Sequence, residues 1–159
     1  MGFDQAFQDL MGNEGGYVDN PSDPGGATRY GITERVARKR GYTGDMRDFP
    51  IDLARQIAKA EYWDPCHCDA LPEEVAFQVF DAYYNGGHAA MWLQEAAGVP
   101  ADGLIGPATI AAVNAANPDK IVMRFDALRL KYLGSLSTWP AFGHGWANRI
   151  ADNLARAAR

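Results

Sequence analysis

The sequence predicts a mainly α-helical protein with one small, irregular antiparallel β element near residues 15–33. Three observations carry this reading. Apolar residues recur at helical spacing along most of the chain, as in Phe3, Ala6, Phe7 and Leu10, or Ile121, Phe125, Leu128 and Tyr132. Prolines stand where helices open (Pro50, Pro72, Pro107, Pro140) and glycines where they close (Gly41, Gly98, Gly134). Residues 15–33 interrupt the pattern with five glycines, two prolines and an Asn20-Pro21 step.

Taken in order, the first predicted helix covers residues 3–12 and ends near Gly12 and Asn13, leaving Glu14 just past a helix end. In the irregular region only Tyr17-Val18 and Thr28-Arg29-Tyr30 read as strand pieces. Thr33 caps a helix from Glu34 to about Arg40, and Pro50 opens one that runs to about Trp63. Pro72 opens another, in which Val75, Phe77, Val79, Phe80 and Tyr83 leave little room for a polar face, so this is the expected buried central helix. A short helix around Met91, Trp92, Ala96 and Ala97 ends at Gly98, and a second spans residues 108–116. A longer one carries Ile121 to Tyr132, and a terminal helix follows Pro140. A seam falls near Gly86-Gly87-His88, beyond which the chain turns rich in alanine and poor in acids.

With 159 residues the chain has the size of one domain and can bury roughly two thirds of the surface its unfolded form exposes. Cys66 and Cys68 flank His67 too closely for an ordinary disulfide and read as reduced thiols. A closed zinc site needs four ligands, and only His88 and His144 remain as further histidines, so no metal is expected. The N-terminus shows no basic leader followed by an apolar run, and no segment approaches the roughly 18 apolar residues of a membrane span. The expectation is a soluble chain without a secretory signal of its own.

The net charge of −5 conceals an asymmetry. Acids outnumber bases through residue 80, whereas residues 119–159 set Lys120, Arg124, Arg129, Lys131, Arg149, Arg156 and Arg159 against Asp119, Asp126 and Asp152. An acidic body with a basic tail fits contact with an anionic cell-wall or membrane surface, or simply a solvated helix face. Nucleic acid is disfavoured, since the chain is acidic overall and has no concentrated basic stripe.

The chemistry concentrates in Glu14-Gly15-Gly16-Tyr17 and Asp23-Pro24-Gly25-Gly26-Ala27-Thr28-Arg29-Tyr30-Gly31-Ile32-Thr33. Cleaving a glycosidic bond needs one carboxyl to protonate the leaving oxygen and a second group to activate water or attack the sugar. Glu14 is the candidate acid and Asp23 the candidate base, with the Thr28 hydroxyl placed to hold a water. The glycines let backbone approach a polymeric substrate. On spacing alone an Asp before Pro-Gly-Gly is equally an ordinary turn former.

This run resembles the signature of glycoside hydrolase family 108, the N-acetylmuramidases of phage endolysins, in which Glu-Gly-Gly precedes Asp-x-Gly-Gly-x-Thr-x-x-Gly-Ile-Thr/Ser. It is also similar to the Glu, Asp and Thr arrangement of inverting phage lysozymes, with the Asp-to-Thr gap one residue shorter here. Phe80-Asp81-Ala82-Tyr83-Tyr84-Asn85-Gly86-Gly87 resembles a helix end of the same family. Trp92-Leu93-Gln94-Glu95-Ala96-Ala97-Gly98-Val99 and Asp102-Gly103-Leu104-Ile105-Gly106-Pro107-Ala108-Thr109 are similar to a peptidoglycan-binding module often fused to these enzymes.

The resemblance implies a single lysozyme-like domain over residues 1–159, with a catalytic lobe at 1–87 and a peptidoglycan-binding-like helical lobe at 88–159. It implies a peptidoglycan hydrolase that cleaves the β-1,4 bond between N-acetylmuramic acid and N-acetylglucosamine. The catalytic residues would be Glu14, Asp23 and Thr28, and the substrate-binding residues Tyr17, Tyr30, Tyr84 and Asn85. No cofactor is implied, and a monomer is expected. Such a protein would be made in the bacterial cytoplasm and reach the wall through a holin's lesion, although a secretion-system effector would read much the same. Two other activities stay open at this point: a lytic transglycosylase, and a non-catalytic wall-binding protein. In the second motif Leu93, Val99, Leu104, Ile105 and Ile110 read as core residues, which favours a half that completes the fold over an independent wall-binding module.

Overall fold

The computed structural model describes residues 2–12, 16–21 and 25–159. It is mainly helical with one small antiparallel sheet, and the chain divides into two compact units, residues 1–64 and 65–159. Among the described residues no helix is long and apolar enough to cross a membrane.

The first unit opens with α1 (Phe3–Met11), whose Phe3, Ala6, Phe7 and Leu10 are buried on one face. Three two-residue strands follow, β1 (Tyr17–Val18), β2 (Thr28–Arg29) and β3 (Ile32–Thr33), in the order β1-β2-β3. Thr33 ends β3 and caps α2 (Glu34–Lys39), its hydroxyl accepting from the Val36 amide at 3.3 Å. Then α3 spans Ile51–Ala58. The helix expected to run on to Trp63 changes character at Lys59 and finishes as a π-type turn over Lys59–Trp63. That turn ends with Trp63 fully buried and edge-on to Phe3, ring centroids 5.5 Å apart.

The second unit is built around α4 (Glu73–Tyr84), which is buried at nine of its twelve positions. It packs with α5 (Ala89–Ala97) and α7 (Pro118–Gly134); α8 (Trp139–Ala157) packs on α7 and hydrogen-bonds to α4, while α6 (Pro107–Ala115) contacts α5 and α7. Pro140 lies inside the first turn of α8 instead of ahead of it, where its missing N–H costs the helix nothing. The seam expected at residues 86–88 lies within this unit, because α4 on one side and α5 on the other pack together.

Two apolar expectations are corrected. Tyr83, read as part of the buried stripe of α4, is 38% exposed, and Leu104, read as a core residue, stands 75% exposed. The cause at Leu104 is local. Buried Gln94 accepts from the Gly103 amide at 2.9 Å and donates to the Leu104 carbonyl at 2.9 Å and to the Asp102 carboxylate at 2.8 Å. Asp102 in turn accepts from the Leu104 amide at 2.9 Å. These bonds fix the Asp102–Leu104 turn with the leucine side chain outward.

The core of this unit holds charge. The Asp81 carboxylate is fully buried and accepts from Arg129 at 2.7 Å, from Arg149 at 2.7 and 2.9 Å, and from Asn153 at 2.9 Å. Burial alone would raise this carboxyl, but the two guanidiniums hold it below its ordinary value. Asp126, one turn before Arg129 on α7, is 2% exposed, and neither carboxylate oxygen has a hydrogen-bond partner among the described residues. Burial pushes its carboxyl up to about 7; the Arg129 charge opposes this and the Asp81 charge adds to it.

Candidate active site

Within the first unit the glycine-rich segment folds as a three-stranded ribbon. Tyr17 pairs with Arg29 and Val18 with Thr28; Thr28 then pairs with Thr33 and Arg29 with Ile32. Thr28 therefore sits on the central strand, between Val18 and Thr33. The β2–β3 link is the two-residue turn Tyr30-Gly31, and both residues have positive φ, 51° and 76°. Two positive values fit the tight hairpin class that matches strand twist. Glycine takes this conformation freely, whereas Tyr30 holds it at a cost of roughly 1–2 kcal/mol.

Cations steady the two tyrosines. The Arg29 guanidinium lies 4.8 Å from the Tyr30 ring centroid and donates to its hydroxyl at 3.1 Å, while another of its nitrogens donates to the Arg47 carbonyl. The Arg47 guanidinium in turn lies 5.4 Å from the Tyr17 ring centroid. The limb leading into Thr28 is tied to α2. The Glu34 amide donates to the Ala27 carbonyl at 2.7 Å, and the Arg35 amide to the Gly25 carbonyl at 3.1 Å. Gly26 has φ 81°, and a Cβ there would meet the Glu34 carboxylate at 3.0 Å, so glycine is needed for both conformation and space. Glu34 also pairs with Arg38 at 2.7 Å. A small hollow of about 260 Å³ lies here, lined by Tyr17, Asp19, Gly26, Ala27, Glu34, Arg38, Asp45 and Met46.

The sequence-predicted residues are thus placed as follows. Thr28, Tyr17 and Tyr30 belong to one ribbon of the first unit, whereas Glu14 and Asp23 lie outside the described residues. Tyr84 and Asn85 end α4 in the second unit. Tyr84 points inward, 8% exposed and edge-on to Phe80 at 5.8 Å, so the outward tyrosine at this helix end is Tyr83. Asn85 is exposed, and its side-chain amide donates to the Asp81 carbonyl at 2.8 Å. The Trp63 and Trp92 indoles are core, so neither offers a face to a sugar ring. Cys66 and Cys68 are buried thiols outside any disulfide, and burial pushes Cys66 up to about 11, which leaves it protonated and poorly nucleophilic.

Sequence reasoning missed the Arg29 and Arg47 supports of the tyrosines and the Glu34 brace on Gly26. The (i, i+4) spacing of Glu34 and Arg38 was the one legible sign of the last.

The ribbon thus presents Tyr17 and Tyr30 with their rings held by arginines, and comparison with known proteins supplies the family. A family model described as "Glycosyl hydrolase 108" matches residues 7–87, and one described as "Predicted Peptidoglycan domain" matches residues 88–151. These matches define a glycoside hydrolase directed at peptidoglycan. The chain belongs to glycosyl hydrolase family 108. It is similar to the solved structure of Brucella abortus SagA, with 34% identity and a TM-score of 0.88 over 98% of this chain and 93% of that one. The fold is accordingly lysozyme-like. No curated protein matches the chain.

Proposed function

We propose that the protein is an N-acetylmuramidase that hydrolyses the β-1,4 bond between N-acetylmuramic acid and N-acetylglucosamine by general acid/base catalysis. The observation that carries this reading is the family match over residues 7–87, which takes in the whole run from Glu14 to Thr33. Glu14 protonates the leaving oxygen, Asp23 activates water on the opposite face of the sugar, and Thr28 orients that water. In this scheme the two carboxyls stand about 6.5–9.5 Å apart, leaving room for the water and giving inversion. Tyr17 and Tyr30 contribute aromatic surface to the bound sugar; Tyr84, packed inward on Phe80, does not, and exposed Asn85 is a separate substrate-binding candidate. Residues 1–87 carry catalysis and residues 88–159 the peptidoglycan-facing lobe.

The protein works as a monomer on the wall, released from the cytoplasm through a membrane lesion in the manner of an endolysin. Contact of its basic tail with an anionic wall or membrane surface would fall to Lys120, Arg124, Lys131 and Arg159. Arg129 and Arg149 serve Asp81, and Arg156 donates to Glu74 at 3.2 Å while lying 3.9 Å from the Phe77 ring centroid.

The test is release of new reducing ends from purified sacculi by wild type and by Glu14→Gln. Loss of one general acid is expected to cost about 10² to 10⁴ in rate with the fold kept. Near-normal release by the variant would remove Glu14 from the mechanism.

A further inference from the structure

In the second unit a cleft of about 460 Å³ opens beside α4 and α5. Its wall is formed by Pro65, Cys66 and His67, by Tyr83, by Gly87 to Met91 and by Gly103 to Ile105. The size is that of a small-ligand site.

Three features mark it as built for an occupant. Leu104 is held 75% exposed at this cleft by the buried Gln94 clamp, a fixed apolar side chain in water beside Met91, itself 40% exposed. His67 adopts a left-handed backbone, φ 52° and ψ 38°, which side chains other than glycine rarely take and which tends to persist where a site requires it. The His88 ring is set edge-on against Tyr132 at 4.9 Å and Trp92 at 5.9 Å, so its position is fixed before anything binds.

The lining chemistry is selective. Among the described residues its lining contains no Asp, Glu, Lys or Arg; the polar side chains are two imidazoles, the Tyr83 phenol and the Cys66 thiol, set among Leu104, Ile105, Met91 and alanine methyls. Methyl-bearing amide units suit the apolar part, and a carboxylate can accept from imidazole without meeting a fixed negative charge. A sugar strand would want a long groove with broad aromatic platforms, and the Trp92 indole behind His88 is core.

We propose that this cleft binds the peptide stem of peptidoglycan, a short peptide with small apolar side chains and free carboxylates, seated on Leu104 and Met91 and hydrogen-bonded by His67 and His88. The proposal rests on the reading that peptidoglycan is the partner, and deepens it: the second unit recognises the stem while the glycine-rich ribbon meets the glycan.

The test is an amide-shift titration of the full chain with the tripeptide L-alanyl-γ-D-glutamyl-diaminopimelate, beside N-acetylglucosamine trimer. Expected are saturable shifts at residues 87–91 and 103–105 with the tripeptide, and about tenfold weaker binding by Leu104→Asp, whose exposed position leaves the melting temperature unchanged. On intact sacculi that variant should raise KM with kcat kept, and on glycan stripped of stems it should match wild type. No saturable shifts with the tripeptide, equal or stronger shifts with the sugar trimer, or equal losses on intact and stripped glycan would overturn the proposal. Tripeptide shifts without any release of wall fragments would sustain the cleft and sink the hydrolase reading. Release without tripeptide shifts would do the reverse.

Discussion

Asp126→Asn should stabilise the protein, and increasingly so as pH rises. The side chain is 2% exposed, and neither oxygen has a hydrogen-bond partner among the described residues. Burial lifts its carboxyl from 3.8 in the unfolded chain to about 7 in the fold. The native state therefore keeps a proton that the unfolded chain has lost, so stability is fully present below pH 3.8 and declines until pH passes about 7. A shift of about three units corresponds to roughly 4 kcal/mol at pH 8 and under about 2 kcal/mol at pH 5. Asparagine keeps the shape and cannot ionise, so it escapes the cost. At about 2–4 °C per kcal/mol, the variant should melt roughly 8–16 °C above wild type at pH 8 and much closer to it at pH 5. Thermal unfolding of both chains by circular dichroism across that range reads the difference, in which the other titrating groups cancel. A gap that does not grow with pH, or a variant less stable at pH 8, would refute the reasoning.

Asp81→Asn should cost about 3–5 kcal/mol at neutral pH, because it removes the buried carboxylate that neutralises the Arg129 and Arg149 guanidiniums. Since the fold lowers the Asp81 carboxyl, its contribution is present above pH 3.8 and lost below it, so the variant's deficit should shrink in acid melts. Gly87→Ala places a Cβ 2.8 Å from the Trp92 ring and 3.0 Å from the Ala82 carbonyl, and chemical denaturation should show a loss of about 1–3 kcal/mol. Reversing Lys120, Arg124, Lys131 and Arg159 to glutamate should weaken lysis and flatten its salt dependence, as measured by turbidity loss over an ionic-strength series. Unchanged lysis would end the anionic-surface idea.

Helix positions were legible because they follow from local chemistry. The Thr33 hydroxyl, Pro107 in the first turn of α6 and Gly98 with φ 72° after α5 each act within a turn of their own place in the chain. The π-type turn before Trp63 was not legible, since an extra residue in a turn leaves no mark on apolar spacing. Asp81 carried a faint sign, an acid within the apolar run of α4, but its partners lie 48 to 72 residues away on α7 and α8. The exposure of Leu104 depends on the Gln94 clamp eight to ten residues back, which composition reads as an ordinary Asp-Gly turn. At the candidate site, Tyr17-Val18 and Thr28-Arg29 were legible as strands, whereas Tyr30 forms the turn and the third strand, Ile32–Thr33, was not foreseen, because a two-residue strand leaves no alternation to read. The arginine supports of Tyr17 and Tyr30 were not legible, because Arg47 comes from a turn 18 residues beyond Arg29.

Mass spectrometry of the muropeptides released from sacculi by wild type, run beside Glu14→Gln, tests the central claim most directly. Muramidase action predicts fragments with reducing N-acetylmuramic ends from wild type and almost none from the variant. Anhydro-muramic ends would instead mark a lytic transglycosylase, and no new ends from wild type would mark a wall-binding protein; either result contradicts the account.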